Sequence, residues 1–203
     1  MPSNLFTNQT PESCNMTGSP NTSVLVRDAT SDDIVQIQKI YAHHVLNGLG
    51  SFEQVPPDIT EMTRRYQTIR DSNLPFLVAE SENRIMGYAY AGPYRPRPAY
   101  RFSLENSVYV TPEAVGRGVG SALMNTLIQR CTALGYRQLV AVIGDSGNQS
   151  SIRLHEKHGF RHAGQLKSVG FKFGRWIDSV IMQRGIGEGD GTNPDQAETP
   201  PGD

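Results

Sequence analysis

The stretch Tyr109-Val-Thr-Pro-Glu-Ala-Val-Gly-Arg-Gly-Val-Gly-Ser-Ala-Leu123 constrains this chain more than any other. An extended run ends at Val110. A short loop follows, with glycines at the alternate positions Gly116, Gly118 and Gly120, and a helical pattern opens at once. Strand, glycine loop and helix start form a geometry that holds phosphate. Glycine lets the backbone come close, and the unpaired N–H groups of the first helical turn point at the anion. A dinucleotide fingerprint would need a third glycine where Ser121 stands, and an acidic residue ending the next strand. Here Leu139 to Ile143 runs into Gly144 and Asp145 instead. A Walker loop would need Gly-Lys-Ser/Thr, which is absent. Alone, the glycines are a weak signal that a tight turn under a helix would equally satisfy.

The rest of the chain sets their context. Residues 1–23 and 185–203 are rich in Asn, Ser, Thr, Pro, Gly and Asp, and are expected to be disordered tails. Residues 24–184 form a single expected domain, long enough to bury a substantial core. Val24 to Val26 is a short strand. Thr30 and Ser31 can cap a helix whose apolar stripe is Ile34, Ile37, Ile40, Tyr41 and Val45. A second helix is expected over 58–70. Phe76 to Ala79 and Ile85 to Ala91 flank a polar turn as a hairpin. Arg101 to Val110 reads as a long central strand. The helix after Gly118 ends at Gly135, and Leu139 to Ile143 is an apolar interior strand. A short helix starting at Ser150 or Ser151 ends near His158-Gly159. A last hairpin turns around Gly174-Arg175. This order predicts an α/β (α+β) mixed sheet with helices on both faces.

Composition narrows the function. The formal net charge of −1 gives no global signal for nucleic acid or a membrane surface. Cys14 and Cys131 are the only cysteines, so a disulfide framework or Cys/His metal site is not expected. No apolar run approaches a membrane span, and the N-terminal residues lack the pattern of a signal peptide, so a cytoplasmic protein is the default expectation.

Several segments, in order and spacing, carry a resemblance: Tyr88 to Pro93, Arg97 to Tyr100, Glu105 to Val110, Gly118 to Leu123, Val140 to Gly144, Arg153 to Glu156, Gly159-Phe160 and Gly170 to Trp176. Together they resemble the GNAT superfamily of acetyl-CoA-dependent N-acetyltransferases. Within it the chain is similar to the phosphinothricin and methionine sulfone/sulfoximine acetyltransferase group, over residues 24–184. The resemblance implies a mostly antiparallel central sheet with a splay between its two central strands. It implies acetyl-CoA as co-substrate, no metal, a small amino-acid acceptor and a homodimer, with the final hairpin near the partner or the pocket.

The same resemblance distributes roles. Val108, Tyr109 and Val110 would pair their backbone with the pantetheine amides, as an added strand does. Gly116, Arg117, Gly118, Val119, Gly120 and Ser121 would hold the pyrophosphate, although Val115 stands where the family usually has Gln or Arg. Asn148 and Ser151 match a second cofactor-contacting helix start. Glu105 is the candidate general base, because a carboxylate in a central strand needs a partner or a function; a salt bridge to Arg101 is the structural alternative. His155 is the second catalytic candidate, as acid or base. From Arg84 to Arg101 the chain has four arginines and no acid. Arg95, Arg97 and Arg101, interleaved with Tyr94 and Tyr100, suit a carboxylate and a phosphinyl or sulfonyl group. Phe52 would form an aromatic wall of that pocket. His43, His44, His158 and His162 have no matching context and are expected at the surface or in helix packing. The rivals are acetylation of another small amine or of a protein N-terminus, or an acetyl-CoA-binding module without catalysis.

Overall fold

The structure is a computed structural model and describes residues 24–196. The expected N-terminal tail, including Cys14, lies outside them, as does 197–203. Seven strands form one sheet in the order β1-β2-β3-β4-β5-β7-β6. They are β1 (Leu25–Asp28), β2 (Phe76–Ser81), β3 (Arg84–Pro93), β4 (Ser103–Val110), β5 (Gln138–Gly144), β6 (Arg161–Lys172) and β7 (Arg175–Gly185). Neighbours run antiparallel except β4 and β5, which are parallel. Helices α1 (Ile34–Asn47) and α2 (Ile59–Asp71) cover one face, and α3 (Val119–Ala133) and α4 (Gln149–Lys157) the other.

Alternation along the strands builds both cores. On the α1–α2 side, Phe76, Val78 and Tyr88 pack under Ile34, Ile37, Ile40, Tyr41 and Val45. On the α3–α4 side, Leu77, Ala89, Leu104 and Leu139 meet Leu123, Met124 and Leu127, which are fully buried. Each such apolar side chain contributes roughly 1.5–3 kcal/mol over leaving it in water. Asp33 caps the turn before α1: its carboxylate accepts from the backbone N–H of Thr30 at 2.8 Å and from both arms of Arg27, at 2.7 and 2.9 Å.

Both hairpins turn tightly with paired positive φ values. These are Glu82 (51°) and Asn83 (60°) between β2 and β3, and Phe173 (51°) and Gly174 (73°) between β6 and β7. Those values match the mirror-image turns whose twist suits a hairpin. The last turn is therefore Phe173-Gly174, one residue before the expected centre, and its strands are longer than expected.

Two boundaries differ from expectation for local reasons. The central strand starts at Ser103, because Pro98–Tyr100 forms a 3₁₀ turn closed by the Arg101 N–H on the Pro98 carbonyl at 3.1 Å. The C-terminal segment is placed as far as Gln196 rather than leaving the domain at Gly185. Ile186 is buried, Arg137 binds Glu188 at 3.1 Å, and Asp195 holds Arg101.

Candidate active site

The β4–β5 ladder sets the site. Pairing runs from Ser103/Gln138 to Asn106/Ala141 and stops there, while β4 continues to Val110 and β5 to Gly144. Beyond Asn106 the strands splay, leaving a cleft of about 700 Å³. On its other edge β4 stays paired to β3 through Gly87/Val110, so the open edge is held from behind. Val142, in a strand that reads as wholly interior, is 40% exposed because it faces this gap.

Two helix starts converge on the cleft. Gly116 and Gly118 have φ of 78° and 84°, and no atom lies within 4 Å of where a Cβ would stand. They are needed for backbone conformation, not for space. Gly118 is the N-cap of α3 and has no side chain to cover the first-turn N–H groups, which stay free for an anion. Gly116, Gly118, Val119, Gly120 and Ser121 line the cleft with Val115, whereas Arg117 is exposed and lies outside the lining. Asn148 caps α4 by accepting from the Ser151 N–H at 3.3 Å. Both residues line the cleft.

Val108, Tyr109 and Val110 border the splay through their backbone. The Tyr109 ring points away, packing at 5.1, 5.2 and 5.4 Å from the rings of Tyr41, Tyr88 and His44. His44 corrects its expected place as a surface or packing residue. It lines the cleft, and its Nε2–H donates to the Val110 carbonyl at 2.9 Å, fixing the end of the open strand. Burial holds its imidazole below the ordinary histidine range, against the bond to Val110. His158 is likewise specific: its Nε2 meets Ser121 Oγ at 2.9 Å, tying α4 to the first turn of α3.

The two catalytic candidates lie on opposite faces of β4. His155, 4% exposed, is on the α3–α4 side, with Nε2 at 2.9 Å from the Asn106 amide nitrogen and Nδ1 at 2.8 Å from the Ser151 carbonyl. Burial lowers its pKa, opposed by the Ser151 contact. Glu105 alternates to the α1–α2 side. Desolvation raises its pKa and Arg95, at 3.9 Å, lowers it. The ionic neighbour of Glu105 is thus Arg95. Arg101 instead binds Asp195 at 2.7 and 2.8 Å, which removes it from the expected cationic cradle.

The acceptor loop follows β3. Arg95 lies over the Tyr94 ring at 4.5 Å, and Tyr100 meets Tyr94 edge-on at 5.6 Å. Arg97 is exposed at the start of the 3₁₀ turn. Phe52 sits in a glycine socket: a Cβ on Gly144 or Gly170 would stand 2.9 or 2.5 Å from its ring. Lys172, only 3% exposed, holds the preceding loop by donating to the carbonyls of Gly48 and Ser51, at 2.9 and 2.8 Å. Sequence reasoning missed that clamp. Cys131 is no nucleophile, since it is buried in α3 and burial pushes its thiol up to about 12. Among the described residues no His, Cys, Asp and Glu group could hold a metal, and no helix is long and apolar enough to cross a membrane.

Known proteins share this architecture. A family model described as an acetyltransferase (GNAT) domain matches residues 26–181. Phosphinothricin N-acetyltransferase of Alcaligenes faecalis is 57% identical over 170 residues, covering 84% of this chain and 86% of that protein. L-methionine sulfoximine/L-methionine sulfone acetyltransferase of Pseudomonas aeruginosa is 38% identical over 162 residues, covering 79% of this chain and 94% of that one. A GNAT superfamily phosphinothricin acetyltransferase from Sinorhizobium meliloti, solved in complex with AcCoA, superposes with a TM-score of 0.83 at 46% identity, covering 87% of this chain and 96% of that chain. A splayed parallel strand pair, the uncapped start of α3 at its mouth and this similarity agree: the chain belongs to the GNAT family of acetyltransferases.

Proposed function

We propose that this protein transfers the acetyl group of acetyl-CoA to the α-amine of a small amino acid with an anionic or strongly polar γ-end. Phosphinothricin, methionine sulfone and methionine sulfoximine are the acceptors of choice, given what the relatives are named for. One observation carries the proposal. The β4–β5 ladder opens just after Asn106, so a thioester held in the splay is reachable from the face that bears Glu105 and Arg95.

The reaction forms a nitrogen–carbon bond and breaks the carbon–sulfur bond of the thioester. The ammonium of the acceptor must first lose a proton, the amine loses a second on acylation, and the thiolate gains one. Glu105 takes the proton of the ammonium. A carboxylate whose pKa burial raises is better matched to that task than a solvated one. The free edge of Val108 to Val110 orients the pantetheine and supplies an N–H to the oxyanion. The α3 start, from Gly116 to Ser121, receives the pyrophosphate, and Arg117 reaches it by a change of rotamer. Asn148 and Ser151 face the pantetheine from α4. Arg95, Arg97 and Tyr100 meet the acceptor's anionic groups, and Phe52 walls its side chain.

Glu105→Gln tests the base. Glu105 acts ionised, so kcat/KM falls as pH drops through its raised pKa. The variant should lose that acidic limb and roughly 10²–10⁴ in kcat; an unchanged pH profile discards Glu105. Thiol release with methionine sulfone but not spermidine supports the acceptor class. The reverse preference overturns it, and CoA binding without turnover on any amine favours a sensor.

The protein acts as a homodimer. The β6–β7 hairpin exposes Leu166, Val169, Phe171, Phe173 and Trp176 by 52–65%. β6 is also an edge strand, a row of backbone groups that a second copy can cover. Light scattering after gel filtration should give twice the chain mass, and a monomer at micromolar concentration would reject the dimer.

A further inference from the structure

Asn106 and His155 face each other in the floor of the cleft, at 5% and 4% exposure. With the Asn106 amide oriented as it stands, the hydrogen bonds of this pair fit one protonation state. The Ser151 carbonyl only accepts, so His155 Nδ1, 2.8 Å away, carries a hydrogen. The amide nitrogen of Asn106 only donates, so Nε2, 2.9 Å away, presents its lone pair. The ring is neutral. Turning the amide over would put Oδ1 against Nε2, which would then need a proton as well, making a buried imidazolium. With the amide as it stands, Asn106 Oδ1 is left buried with no hydrogen-bond partner. Such orphans are rare and need a physical reason.

We infer that Asn106 is the positioning residue of His155: its amide holds the resting ring neutral with the lone pair on Nε2, and turns over to accept through Oδ1 when Nε2 takes a proton. The orphan oxygen is then the unused half of an amide that serves two protonation states. In one state its NH₂ donates to Nε2. In the other its Oδ1 accepts from Nε2–H, and Nδ1–H stays on Ser151 throughout. This rests on His155 as a proton carrier in acetyl transfer. A proton released from the attacking amine enters at Nε2 and leaves to the CoA thiolate, so the ring is neutral before and after turnover. The surroundings favour that neutral state. His158, just past the end of α4, opposes protonation; β5 brings the apolar Ala141 and Ile143; Phe160 meets the ring edge at 5.0 Å; and Glu105 lies on the other face of β4.

The test uses the full chain. Long-range ¹⁵N–¹H spectra of the imidazole at neutral pH should show His155 with a protonated Nδ1 and a bare Nε2. No variant is needed for this measurement, and an Nε2–H ring overturns the inference. In Asn106→Asp the carboxylate cannot donate, so it should recruit a proton to Nε2. Both ring nitrogens should then appear protonated at neutral pH, and kcat should fall roughly tenfold or more with little change in KM for acetyl-CoA. A ring that stays neutral in this variant also overturns the inference, whatever the activity. A protonated ring with an unchanged kcat overturns the catalytic half and removes His155 from proton transfer. If no acceptor is turned over at all, the acetyltransferase proposal fails while the spectra still decide the role of Asn106.

Discussion

Gly144→Ala and Gly170→Ala add the same methyl group on two sides of the Phe52 ring, and the structure predicts unequal results. A Cβ at Gly144 stands 2.3 Å from the Leu49 carbonyl oxygen and 2.9 Å from the ring. An ordinary carbon–oxygen contact is about 3.3 Å, so this carbonyl must withdraw by about 1 Å. It cannot do so freely, because Lys172 grips the carbonyls of Gly48 and Ser51 on either side. Overpacking costs about 1–3 kcal/mol, and a pinned backbone puts Gly144→Ala at the upper end. The lower chain entropy of unfolded alanine offsets about 0.4–1 kcal/mol. A net loss of about 2 kcal/mol lowers Tm by roughly 4–8 °C in a chain of this size.

At Gly170 the nearest obstacle, at 2.5 Å, is the Phe52 ring itself, and that side chain is 42% exposed and can swing outward. Its net cost should stay within about 1 kcal/mol. The kinetic effects should separate too. Gly144→Ala displaces Leu49 and Gly50, which line the cleft, so KM for acetyl-CoA rises. Gly170→Ala moves the Phe52 wall, so KM for the amino acid rises instead. Thermal melts and steady-state kinetics on both variants decide. Equal losses of Tm, or the two KM effects exchanged, refute a pinned loop beside a mobile ring.

Other positions give equally direct tests. His44→Phe keeps the ring but frees the Val110 carbonyl, so acetyl-CoA affinity should fall by about tenfold for one lost hydrogen bond of about 1.5 kcal/mol, read by calorimetry; unchanged affinity removes His44 from the site. Gly118→Ala forces a φ of 84° on alanine, costing about 1–2 kcal/mol, and should weaken CoA binding more than it lowers Tm would suggest. Asp33→Asn removes the carboxylate that closes the turn before α1 on the Thr30 N–H and binds Arg27, and should cost about 1–2 kcal/mol because Arg27 is a third exposed. The Arg27 bond holds the Asp33 pKa below its usual value, so its contribution is present above about pH 4 and is lost as pH falls through the folded value. Acid melts of the variant should lose that part of the slope, and an unchanged slope would assign it elsewhere.

What the sequence made legible was local. The glycine loop, the helix stripes and the hairpins depend on neighbours a few residues apart, and each formed close to where its pattern stands. What it hid was long-range. His44 meets Val110 across 66 positions, and Lys172 meets Gly48 across 124. A signal existed for His44, one helical turn beyond Ile40 and Tyr41 on the buried stripe, but only the fold reveals the carbonyl it faces. Arg101 was drawn into the acceptor loop by its spacing from Arg95 and Arg97. Its partner Asp195 lies 94 positions away, in a segment whose composition reads as tail. Asn106 gave no signal, because an asparagine in a strand becomes informative only when a histidine from another element occupies its amide.

The opposite placement of Glu105 and His155 follows from strand alternation and bears on the chemistry. Adjacent strand residues cannot share a face, so Glu105 and the Asn106–His155 pair are held apart by the sheet itself. Through a continuous ladder, a base on one face could not serve a leaving group on the other. The ladder stops at Asn106, immediately beyond these residues. A thioester lodged in the opening offers its carbonyl carbon to an amine on the Glu105 side and its sulfur to the His155 side. In the proposed mechanism Glu105 takes the ammonium proton from one face, while His155 carries the second amine proton to the thiolate on the other. Restoring pairing beyond Asn106 would therefore abolish turnover even with both side chains intact.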